Sequence, residues 1–305
     1  MKRAVQQVMS GYEPALVPVS RRRRLVPVDK CLQAFTLIEL LVVISIMGII
    51  AALAVPALKN LGKSNIQASA SRQLLDDVGH ARQLAISDHT TVYMIFVRPN
   101  FWMMPIWPNN WWGSLTPAQR AVVTNLCDKQ LTGYTFVSLR SAGDQPGQGK
   151  CRYLSSWQNL PEGVFIAQQK FLYGPQAFYY APANTTTFPI YGFNYTNNIP
   201  FPTEDVSPAT YMSSANFDLP YIAFNYLGQL TVDGQNLAPR DEYIPLAQGS
   251  VSPAIDPNTK APIISASSAP SITENPAGSS TNSMYNIIHI DRLTGRAVLE
   301  YQHVQ

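Results

Sequence analysis

The chain has 305 residues, 46% of them hydrophobic and 13% charged, with a formal net charge of +3; that length suits a stalk carrying one globular head of about 215 residues. The positive charge is confined to the beginning: residues 1–34 hold seven Lys/Arg against Glu13 and Asp29, so this stretch carries +5 and the remainder about −2, which leaves no basic groove for nucleic acid. There is no G-x-S-x-G elbow, Walker loop, G-x-G-x-x-G fingerprint or H-E-x-x-H helix, and no CxxC, CxxH or HxxxH spacing, so no enzyme, cofactor or metal site is expected.

In chain order, the first feature is the run Arg21–Arg24. Basic residues just ahead of a span hold that side in the cytoplasm more often than they bind nucleic acid. The span itself is Phe35–Leu58, an apolar run of 24 residues whose only charge is Glu39. It exceeds the roughly 20 residues needed to cross hydrocarbon. A carboxylate inside hydrocarbon costs several kcal/mol and marks function or a partner. A cut between Ala34 and Phe35 would create an α-ammonium four residues before Glu39, placed for an ion pair between stacked subunits. Three other readings fit parts of the run. One is an ordinary signal peptide, for which Ala52-Leu53-Ala54 supplies a cleavage site although the apolar region is too long and holds a Glu. The others are a signal anchor from which nothing is assembled, and a buried core helix.

The segment QAFTLIELLVVISIMGIIAALAVPALKN resembles the cleavage and methylation signature of type IV prepilins and type II secretion pseudopilins, over about 30 of the 305 residues. The resemblance implies that a prepilin peptidase cuts between Ala34 and Phe35, that the new Phe35 amine is methylated, that Glu39 guides assembly and that Pro56 kinks the helix. Ala34 departs from the Gly usual in the family but keeps a small side chain. The same resemblance implies a single-pass inner-membrane protein with a cytoplasmic N-terminus and a periplasmic head, later part of a pseudopilus or pilus. Its implied partners are the peptidase, other pseudopilins or pilins, the inner-membrane assembly platform and membrane lipid.

Beyond the apolar run, Leu74, Val78, Ala81 and Ala85 recur at helical spacing, with Arg72, Asp76 and Gln83 on the opposite side. Residues 59–88 therefore continue the helix into the head, giving about 50 residues and about 80 Å, bent where Pro56 lacks an amide donor. After His89 the pattern becomes strand-like at 90–97, 134–139, 163–167, 221–225, 285–290 and 296–301, an antiparallel sheet whose last two strands are joined by a hairpin at 291–295. Thr116 and Gln119 form a capping box around Pro117, predicting a helix over 117–130. Removal of Cys31 with the leader leaves Cys127 and Cys151 as an even pair in an oxidising compartment, able to bridge or to stay as buried thiols. Trp102, Trp107, Trp111 and Trp112 crowd into eleven residues and read as loop packing or as a contact patch. Asp76-Asp77 and Glu204-Asp205 are adjacent carboxylates that point apart or lie in solvent.

The order of LLDDVGHARQLAIS, TTVYMIFV, WQNLPEGVFI, PYIAFNYLGQL and NIIHIDRLTGRAVLE is similar to the scaffold of H-type minor pseudopilins. Two stretches depart from it, 176–216 and 247–283, whose Tyr/Pro/Asn/Thr and Ser/Pro/Ala compositions read as inserted loops rather than core elements. The expected fold is α+β and pilin-like: a long kinked N-terminal helix packed on an antiparallel sheet head spanning 89–305. The expected function is structural, a minor pseudopilin of a type II secretion pseudopilus or related type IV pilus. A minor pilin or adhesin that binds ligand through the Trp102 to Trp112 region, and a simple membrane-anchored periplasmic protein, are the alternatives.

Overall fold

The computed structural model describes residues 36–103, 115–140, 151–172, 177–180, 188–193, 195–198, 218–264, 268–280 and 286–301. The leader, Ala34, Phe35, Trp107, Trp111, Trp112 and the Glu204-Asp205 pair lie outside them, as do the side chains around Pro56, where a kink is expected. The chain divides into two compact units, residues 1–54 and 55–305. The architecture is α+β: a helix at the N-terminus followed by antiparallel sheets.

Helix α1 (Leu37–Ser87) runs through both units. In the first unit its side chains are exposed, among them Leu37 at 83%, Ile44 at 60% and Met47 at 67%. In the second, Ala70, Leu74, Val78, Ala81 and Ala85 are fully buried while Arg72, Asp76 and Gln83 stay in solvent, the amphipathic division the sequence spacing predicts. Each such Leu or Val contributes about 1.5–3 kcal/mol by leaving water. The helix ends because His89 adopts a left-handed φ of 48° and Thr90 N–H turns back to the Ala85 carbonyl at 3.3 Å, closing orphan carbonyls of the last turn.

The first sheet is built around β1 (Val92–Phe96), paired antiparallel with β2 (Gly133–Ser138) on one side and β9 (Asp218–Phe224) on the other. Beyond them lie β10 (Leu230–Thr231) on β9 and β3 (Arg152–Tyr153) on β2, with β4 (Gln158–Asn159) also on β2 and β8 (Thr196–Asn198) on β9. Alternation along β1 divides the core: Val92, Met94 and Phe96 join the α1 side chains in one cluster, and Tyr93, Ile95 and Val97 join a second. The second cluster lies under α2 (Pro117–Cys127), which starts at the predicted capping box. Thr116 Oγ1 accepts from Gln119 N–H at 3.2 Å and Gln119 Oε1 accepts from Thr116 N–H at 2.9 Å.

The second sheet runs β12 (Ser271–Glu274), β11 (Glu242–Ser252), β13 (Asn286–Ile290), β14 (Ala297–Tyr301), with β5 (Val164–Ile166) also paired to β11. Its Ile244, Leu246, Ile288 and Ile290 belong to the same cluster as the α1 stripe. The β13–β14 connection is the predicted hairpin: Asp291 Oδ1 accepts from Thr294 N–H at 2.6 Å and Gly295 supplies a φ of 62°.

The two stretches read as loops contain strands. In 176–216, β6 (Ala177–Tyr180) pairs with β7 (Phe188–Tyr191), and Ile190 and Phe193 are buried in the α1 cluster. In 247–283, the second half of β11 pairs with β12. Strand β11 is absent from the sequence-based expectation because Pro245 interrupts it. The sheet tolerates this proline because its carbonyl accepts from Ala167 N–H at 3.0 Å, and a residue's nitrogen faces the same side as its carbonyl. The missing donor therefore falls just past the end of β5, where the chain turns away, and not in the β13 ladder.

Candidate functional site

The first turn of α1 is closed by its own side chains. Glu39 Oε2 accepts from Thr36 N–H at 3.0 Å and from Thr36 Oγ1 at 2.9 Å, while Thr36 Oγ1 accepts from Glu39 N–H at 3.2 Å. This is a capping box, T-x-x-E, and it satisfies amide donors that a helix start otherwise leaves unpaired. Sequence reasoning passed over it, although the Thr36–Glu39 spacing is the same signal that located α2. Both bonds to the carboxylate use Oε2, so Oε1 takes no part in the ring. The charge lies at the positive end of the helix dipole, where an anion is favoured. Around it the side chains from Leu37 to Ile50 are apolar and exposed, apart from Ser45, whose hydroxyl turns inward to Leu41 O at 2.8 Å. Among the described residues, no helix is long and apolar enough to cross a membrane.

In the head, the aromatic residues belong largely to the core. Trp102 is 6% exposed and lies edge-on to Phe101 at 5.0 Å, the packed arrangement among the two readings its position allows. Tyr195 packs on Tyr221 at 6.4 Å between ring centres, and Tyr221 on Tyr93 at 5.0 Å. Cys127 ends α2, buried, its thiol donating to Val123 O at 3.4 Å, and burial pushes that thiol up to about 12. Cys151 precedes β3 at the edge of the same cluster. Since Ser138 pairs with Arg152, Cys151 lies at the far end of β2 from Gly133, where the chain leaving α2 arrives, and the structure forms no bridge between the two.

Lys170 is buried and Asp77 half-buried where sequence gave no sign. Lys170, 1% exposed, pairs with Glu242, donates to Tyr191 O at 2.7 Å and lies 4.8 Å from the Phe193 ring centre. Burial pushes its amine down, opposed by Glu242. The contact ties β7 to the start of β11, and Arg240 stacks over the Tyr191 ring at 3.6 Å beside it. Asp77 behaves unlike its neighbour Asp76: Asp76 is exposed, whereas Asp77 is half-buried and accepts from the Tyr134 hydroxyl. His289 on β13 bridges Asp241 at 3.2 Å and Glu300 at 2.7 Å and stacks on Tyr243 at 4.5 Å. These contacts join elements of the head to one another, Asp77 tying α1 to β2. Among the described residues no three metal-ligating side chains converge. Among the described residues, a cavity of about 240 Å³ is lined by Ile66 and Gly163 and, from the β11–β12 arm, by the polar Gln248, Ser250, Thr273 and Asn275.

No curated protein and no solved structure matches the chain. A family model described as the prokaryotic N-terminal methylation motif matches residues 30–55, the stretch that holds Glu39 and the exposed apolar turns after it. Proteins with this motif are structural rather than catalytic, are processed by prepilin peptidase, assemble with other pilins and are anchored in the membrane through it. With a capped carboxylate at the head of an apolar helix and antiparallel sheets following in the chain, residues 30–55 carry the prokaryotic N-terminal methylation motif, the type IV prepilin-like signal.

Proposed function

We propose that this protein is a minor pseudopilin of a type II secretion pseudopilus, or the corresponding subunit of a related type IV pilus, and that it works by assembly. The leader is removed between Ala34 and Phe35, the Phe35 amine is methylated, and the helix over 35–58 waits in the inner membrane with the leader side cytoplasmic and the head periplasmic. On leaving the bilayer, Glu39 neutralises the Phe35 amine of a neighbouring subunit. The observation that carries this reading is the position of Glu39, the only charge in an apolar helix whose described side chains find no cover in their own unit. Its free Oε1 is available to a second cation while Oε2 still caps the helix. Removing one partner of a pair in a low-dielectric core costs about 3–5 kcal/mol, enough to exclude a subunit from a filament. The similarity to H-type minor pseudopilins, and a head of this size, favour a minor subunit over a major one.

The test is the N-terminal residue and intact mass of the membrane-extracted protein from a host with prepilin peptidase. N-methylated Phe35 is the expected first residue. A chain that keeps residues 1–34 would leave a signal anchor as the better account, and one beginning near Val55 an ordinary secreted protein. With processing established, Glu39→Ala is expected to insert and be cleaved but not to enter filaments.

A further inference from the structure

The arm formed by the second half of β11 and by β12 has two unlike faces. Ser250 lies opposite Thr273 and Ser252 opposite Ser271, and alternation puts Gln248 and Asn275 on that same face. Val251 and Ile272 point the other way and pack against the α1 cluster. The outward face carries only short hydroxyls and carboxamides, without the charged side chains that ordinarily mark an edge strand. Four of these residues, Gln248, Ser250, Thr273 and Asn275, line the cavity of about 240 Å³ with Ile66 and Gly163. That volume is large against the about 10–15 Å³ that a single water needs.

The backbone there is already committed: Gly249 N–H donates to Gly163 O and Asn275 N–H to Gln248 O, each at 3.0 Å. The cavity therefore offers side chains and not a strand edge for a peptide. Among the described residues, the side chains of Ser250, Thr273 and Asn275 take no hydrogen-bond partner, and the Gln248 amide, which donates to Gln67 Oε1, keeps its own oxygen free. Hydroxyls and carboxamides both donate and accept. An ionic ligand would meet no counter-charge among the described lining residues and would lose its hydration uncompensated. Neutral hydroxyls match these groups one for one, and Ile66, 38% exposed, supplies an apolar wall for the C–H face of a ring. We propose that this cavity binds a neutral saccharide, held by Gln248, Ser250, Thr273 and Asn275 and packed on Ile66.

The test is saturation-transfer NMR of the full chain in a zwitterionic detergent that has no sugar headgroup, with maltotetraose, cellotetraose and chitotetraose as probes. At least one is expected to give a saturable signal at about millimolar concentration, the affinity of a few neutral hydrogen bonds. Ser250→Ala with Thr273→Val removes two of the hydroxyls from exposed positions and should weaken that binding about tenfold or more at an unchanged urea midpoint. If the double variant does not fold, Ser250→Ala alone makes the comparison. No transfer from any of the three up to about 20 mM, or equal binding by the variant, overturns the proposal. Displacement of the bound sugar by a neutral Ser-Gly hexapeptide of equal affinity overturns it as well, since the site would then read amides and not saccharide. None of these measurements depends on processing or filament assembly.

Discussion

The two halves of α1 solve the same problem in opposite ways. From Leu37 to Ile50 almost every side chain is apolar and exposed, so no face is set aside for water and none for a core. From Ala70 to Ala85 the apolar positions form one stripe with charged and amide side chains opposite, and that stripe is fully buried against the two sheets. A helix that is hydrophobic all round needs an apolar surrounding from outside its own fold, lipid or other helices, whereas an amphipathic one finds its cover within the chain. Folding of the head and the proposed assembly through the N-terminus are therefore separable properties of one helix.

The sharpest way to break that comparison is Glu39→Ala. Filament incorporation should be lost while the thermal midpoint of the head stays unchanged, because among the described residues Glu39 hydrogen-bonds only to Thr36; a lowered midpoint would show that the halves are not independent. Next in size is a matched pair of leucines. Leu74→Ala should cost about 2–5 kcal/mol in urea unfolding, since Leu74 is fully buried. Leu41→Ala, at a side chain 50% exposed, should leave the same transition within about 0.5 kcal/mol. Thr36→Ala removes the cap and should cost about 0.5–2 kcal/mol, confined to the first turn and visible as faster amide exchange there with the head unaffected. Smallest is Gly79→Ala on the exposed face of α1, where an added Cβ meets nothing within 4 Å. Replacing a mid-helix glycine should stabilise the head by about 0.8–1 kcal/mol, and a loss instead would mean that this face already has a covering partner.

Much of the fold is legible because local signals and final packing agree. The T-x-x-Q box fixed the start of α2, and β-branched, aromatic runs located β1, β2, β5, β9, β13 and β14. The signals failed where a residue that usually breaks structure sits at a tolerant position. Pro245 hides β11 from any local reading, yet its missing donor falls beyond the last pair with β5. Composition also misjudged 188–193, because Ile190 and Phe193 are buried by distant strands and not by their own neighbours. At the candidate site the carboxylate was legible, being alone in an apolar run, while its capping role was overlooked in the same four residues.

By itself the sequence determined the division of α1, the methylation motif of residues 30–55 and the antiparallel character of the head, because each rests on spacing along one segment. Only the tertiary structure decided that Asp77 is half-buried while Asp76 is solvated, that Lys170 lies in the core against Glu242, and that Trp102 is core. The first two outcomes depend on residues 57 and 72 positions away, Tyr134 and Glu242. The free energy of a charged or aromatic side chain is set by the dielectric and the donors that the folded chain brings to it.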